Sequence, residues 1–93
     1  MQGYNAKLFR IRTQSTSHDE AILDEVGECF AQYTAFTSTN CDNMKGQEDG
    51  LIIEILGTYA DRPLVKTLAE SIKQLNKQTV LVTAHDVDFL TIL

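Results

Sequence analysis

Residues 7–13 alternate in side-chain character with a period of two, between Asn5 on one side and Gln14-Ser15-Thr16-Ser17 on the other, which predicts a β-strand. The period then lengthens to that of a helix. Ile22, Val26, Cys29, Phe30 and Tyr33 fall on one side of it, and Glu20, Asp24, Glu25 and Glu28 on the other. Ser17-His18-Asp19-Glu20 has the form of a capping box and sets the predicted helix start. Gly27 lies inside this helix, at a cost of about 1 kcal/mol relative to alanine. Residues 35–39 have the β-branched and aromatic content of a short strand, residues 40–50 the composition of a loop, and residues 51–56 give the strongest strand signal in the chain. The two strands predict a hairpin with a long connection.

Arg62-Pro63 suits the first turn of a second helix, where the missing amide costs nothing. Leu64, Leu68, Ile72 and Leu75, with Val65 and Ala69, make its apolar stripe, and Lys66, Glu70, Lys73 and Lys77 line the far side. Residues 79–85 predict a last strand, residues 86–88 a turn, and residues 89–93 an apolar C-terminal tail.

The order is therefore strand, helix, strand, strand, helix, strand. Right-handed crossovers then favour an α+β, ferredoxin-like βαββαβ sandwich, with a four-stranded antiparallel sheet and both helices on one face. At 93 residues the chain predicts a single domain over residues 1–93. Parity along the strands assigns Phe9, Ile11, Leu51, Ile53, Ile55, Val80 and Val82 to the covered side. The open side receives Leu8, Arg10, Arg12, Ile52, Glu54, Leu56, Leu81, Thr83 and His85, which is too apolar for a face bathed in water. Two closures would hide it: association as a homodimer, or with a larger protein, through Leu8, Ile52, Leu56 and Leu81 with Phe89, Leu90 and Ile92 of the tail, or the tail folding across the open face of its own monomer.

Charge adds a second candidate surface. The net charge is −5, and residues 13–44 hold Asp19, Glu20, Asp24, Glu25, Glu28 and Asp42 with no lysine or arginine. Glu20, Asp24, Glu25 and Glu28 are thus partner-binding candidates, in a protein that acts as an inhibitor by presenting an acidic helix to a basic site. Taken residue by residue, a solvated face is the plainer account. The same charge argues against direct nucleic-acid binding. RNA-recognition domains share this element order, but Arg10, Arg12, Ile52, Glu54 and Leu56 offer no ring for bases to stack on. No apolar run approaches the ~20 residues of a membrane helix, and the first residues lack the pattern of a signal peptide, so cytoplasmic residence is expected.

Catalytic and metal-binding patterns are sparse. His18, Cys29, Cys41 and His85 match no zinc spacing, no serine lies in a nucleophile elbow, and the glycines at 46, 50 and 57 make no phosphate loop, so neither a metal nor a cofactor is expected. A small enzyme of the dimeric α+β barrel kind is the alternative, with a pocket around His85, Arg10, Arg12 and Glu54. The favoured reading is a binding or regulatory domain that works through its surfaces.

Overall fold

The computed structural model describes the backbone of residues 2–43 and 46–91, and the side chains of residues 6–38 and 49–87. Its elements are β1 (Gln2–Gln14), α1 (Asp19–Cys29), β2 (Thr34–Asn43), β3 (Gly46–Gly57), a short 3-10 turn (Tyr59–Asp61), α2 (Arg62–Asn76) and β4 (Leu81–Thr91). The sheet order is β2-β3-β1-β4 and all three pairings are antiparallel. This is the ferredoxin-like α+β sandwich expected from the element order.

The core lies between the central strands and the two helices. Phe9 and Ile11 of β1 and Leu51, Ile53 and Ile55 of β3 are fully buried beneath Ile22 and Val26 of α1 and Val65, Leu68 and Ile72 of α2. Each such side chain contributes roughly 1.5–3 kcal/mol of transfer free energy. The α2 stripe is rotated slightly from the expected one: Val65, Leu68, Ala69 and Ile72 are buried, while Leu64 is exposed. Val82, expected in the core, is exposed as well. It pairs with buried Ile11, but β4 is an edge strand and the helices stop short of it. Val80 is partly buried against the core.

Three local expectations are corrected. Ser17 does not cap α1. His18 occupies the cap position without a side-chain hydrogen bond, and the turn is held instead by Asp19, which accepts from the Thr16 amide at 2.9 Å and from the Ser15 hydroxyl at 2.5 Å. Nor does the helix reach Tyr33: it ends at Cys29, and Phe30 is already extended. Tyr33 folds back, and its hydroxyl donates to the Leu23 carbonyl at 3.4 Å.

The second correction concerns residues 40–50, expected as a loop. Their described part is strand: β2 continues to Asn43 and β3 begins at Gly46, with Asn43 opposite Gly46 and a register shift between Ser38 and Cys41. The third concerns the carboxyl end. Asp86, Val87 and Asp88 form no turn, because β4 runs unbroken from Leu81 to Thr91 along β1. Phe89 and Leu90 therefore sit opposite Tyr4 and Gly3 as part of the sheet, in cis, rather than in a separate tail. Ile92 lies outside the described residues.

Entry of the chain into α2 follows the expected pattern, with proline in the first turn. Asp61 accepts from the Thr58 amide at 2.9 Å and closes the 3-10 turn that precedes it. At the far end of α2, Asn76 fastens the helix to the start of the chain. Its amide donates to the Thr13 hydroxyl at 2.9 Å and the Gln14 carbonyl at 3.0 Å, and its oxygen accepts from the Thr16 hydroxyl at 2.8 Å.

Candidate functional site

Residues directly opposed in an antiparallel ladder share a face, so the register defines the side of the sheet that the helices leave bare. Phe36, Ile52, Arg12 and Leu81 stand in one row across the four strands. Thr34, Glu54, Arg10 and Thr83 make the next, and Leu56, Leu8 and His85 the third. At the centre of these rows, on β3 and β1, stand Ile52 with Arg12, Glu54 with Arg10, and Leu56 with Leu8.

Exposure along these rows is uneven. Phe36 is 44% exposed, Leu56 52% and Leu81 56%, values high for large apolar side chains. Leu8 is half-buried. Ile52, expected as part of the exposed patch, is only 7% exposed although no helix covers it. It stands mid-row, with the long side chains of Phe36 and Arg12 directly opposite on either side. β4 is exposed toward both faces, through Leu81 on the open side and Val82 on the other.

The polar centre of the face is an ion pair. Arg10 donates to Glu54 from Nε at 2.8 Å and from Nη2 at 2.5 Å, across directly opposed positions of β1 and β3. The two side chains are 32% and 23% exposed, so the pair is partly shielded. Such a pair offsets part of the penalty of setting either charge among aliphatics. Arg12, two residues on, is exposed, and so is His85 on the edge strand. His85 lies opposite Leu8, one row away from the Arg10–Glu54 pair. The four residues of the enzyme alternative thus share a face, spread over three rows of it.

Phe36 was missed by sequence reasoning, and with it the open face does carry a ring, contrary to the expectation above. The ring sits on edge strand β2; among residues whose side chains are described, β1 and β3 hold none on this face. The α1 carboxylates lie on the opposite side of the molecule. Glu20, Asp24 and Glu28 are exposed, whereas Glu25 is half-buried and accepts from the Ser71 hydroxyl of α2 at 2.9 Å. Elsewhere, a shallow polar groove at the end of α2 is lined by Glu70, Lys73, Gln74, Lys77, Gln78 and Thr79. No helix among the described residues is long and apolar enough to cross a membrane.

No protein-family model matches the chain, and no curated protein matches it in sequence. Solved structures do resemble it. CPII, a nitrogen regulatory PII-like protein from Thiomonas intermedia K12, bound to ADP, AMP and bicarbonate, aligns with a TM-score of 0.71 and 18% identity over 99% of this chain and 100% of that one. The likeness is one of fold. A PII-like signalling protein from Thermus thermophilus aligns with a TM-score of 0.63 and 15% identity, covering 97% of this chain and 94% of that chain. The de novo designed protein Foldit4 reaches a TM-score of 0.50 at 23% identity, covering 90% of this chain and 97% of its own. An identity higher than that of these two PII-like proteins thus accompanies a designed chain, and the architecture by itself carries no activity.

Proposed function

We infer that this chain is a small regulatory domain of the cytoplasm that acts by association, and that it self-associates through the open face of its sheet. The observation that carries the reading is the set of Phe36, Leu56 and Leu81 on a face with no helix over it, its central charges already paired as Arg10 and Glu54. A monomer that keeps three large side chains about half exposed on one face leaves apolar area in water that a second copy would remove, at roughly 25 cal/mol per Å². The fold shared with PII-like regulatory proteins supports a regulatory role. The exposed carboxylates Glu20, Asp24 and Glu28 on the other side stay available to a basic partner in this arrangement.

Sedimentation equilibrium of the wild type and of Leu81→Arg tests the reading. The wild type is expected to associate at micromolar concentration, and the variant to associate about tenfold or more weakly, because a charge would enter a desolvated contact. A wild type that stays monomeric, or a folded variant that associates as well as wild type, overturns it. ADP, AMP and bicarbonate are ligands of the Thiomonas protein, and calorimetric titration of this chain with each gives the direct comparison.

A further inference from the structure

Resting on the self-association inferred above, we propose that Arg12 of one copy pairs with Glu54 of the next, and that this contact fixes the register of the assembly. Both hydrogen bonds from Arg10 fall on the same oxygen, Oε2 of Glu54. Among the described residues, Oε1 of Glu54 accepts no hydrogen bond and Arg12 has neither a hydrogen bond nor an ion pair. Among the described residues, the open face therefore presents one cation without an acceptor and one carboxylate oxygen without a donor.

Covering the face with a second copy changes what these two groups need. Arg12 stands in the row of Phe36, Ile52 and Leu81, so closing that row around it takes the guanidinium out of water, and its five donors then require acceptors. Glu54 Oε1 of the opposing copy is an anionic acceptor of the right kind, already held in place by Arg10 through its sister oxygen. The arrangement is self-complementary. Each copy supplies one Arg12 and one Glu54, so a two-fold closure makes two reciprocal pairs and a cyclic closure makes one at every interface. Aliphatic contacts alone would tolerate sliding of one sheet on another, whereas a charge pair amid apolar side chains selects one alignment.

An intrachain pair is the competing arrangement, since Arg12 and Glu54 occupy diagonal positions on adjacent strands. Mixing charge-reversed copies separates the two. Arg12→Glu and Glu54→Lys are each expected to self-associate about tenfold or more weakly than wild type, and their equimolar mixture to recover association as a hetero-oligomer. Folding of each variant is checked by circular dichroism. Wild-type association by Arg12→Glu, or a mixture of two folded variants that stays monomeric, overturns the pairing. Should Glu54→Lys fail to fold, Arg12→Leu decides: weakened association that no longer responds to salt supports the pair, and association as tight as wild type or tighter overturns it. Loss of association in Leu81→Arg but not in Arg12→Glu refutes the pairing alone. A monomeric wild type refutes the underlying self-association as well.

Discussion

Replacing Gly27 by alanine should stabilise this protein, and the structure sets the size of the effect. Gly27 lies within α1, is exposed, and would place a new Cβ 3.8 Å from Tyr33 Cε1 and 3.9 Å from its hydroxyl oxygen, which is ordinary van der Waals contact. Helix propensity contributes about 1 kcal/mol in favour of alanine, and the contact with the Tyr33 ring adds to it rather than opposing it. For a domain of this size about 1 kcal/mol corresponds to a melting temperature higher by roughly 4–8 °C. Thermal unfolding followed by circular dichroism at matched protein concentration reads the shift, since association also moves the midpoint. Gly57 is the internal control. A Cβ there would lie 2.5 Å from Asp61 Oδ2, the oxygen that accepts from the Thr58 amide, so Gly57→Ala should displace that cap and cost about 1 kcal/mol. A Gly27→Ala protein that melts at or below the wild-type temperature would refute the reasoning, by showing that α1 approaches its neighbours more closely than the contact with Tyr33 allows.

Lys77 ends α2 in the left-handed conformation, at φ 53° and ψ 38°, so Lys77→Gly should relieve strain and raise stability by about 0.5–1 kcal/mol, while Lys77→Val should lower it; urea midpoints compare the two. Asn76→Ala removes three hydrogen bonds and strands the buried Thr13 hydroxyl, which predicts a loss of about 2–3 kcal/mol in urea unfolding with an unchanged slope. Ser71→Ala frees Glu25 from α2 at a cost of about 1 kcal/mol or less, a near-neutral result that the same measurement checks against Asn76→Ala.

The fold was legible because periodicity changed cleanly along the chain. The alternation through Phe9 and Ile11 and through Leu51, Ile53 and Ile55 marked the covered face, and all five are buried. Register was far less legible. With residues 40–50 read as a loop, nothing fixed which residue of β2 opposes Ile52, so Phe36 could not be placed; even a hairpin counted straight from Asn43 opposite Gly46 would have set Phe36 opposite Ile53 on the covered face, and the register shift between Ser38 and Cys41 is what turns it to the open one. Lateral position was also invisible in sequence. Val82 has the parity of a core residue, yet its exposure follows from an edge strand that the helices do not reach. The Ser17 capping pattern failed because Asp19 and Thr16 satisfied the same turn by a different pairing. Ion pairing across strands needs register as well, which is why Arg10 and Glu54 were grouped by face but not joined.

The anchorage of α1 has a consequence for how the molecule opens. Only Ile22 and Val26 of this helix are fully buried, its last turn carries no basic residue, and one of its carboxylates leans on α2 through Ser71. A helix held by so few side chains lets go before the sheet does. Its amides are then the ones whose hydrogens exchange through partial opening, while those of the central strands wait for global unfolding. A basic ligand that gripped this helix would slow that exchange, and the protein would register the encounter as added local order without any rearrangement of its sheet.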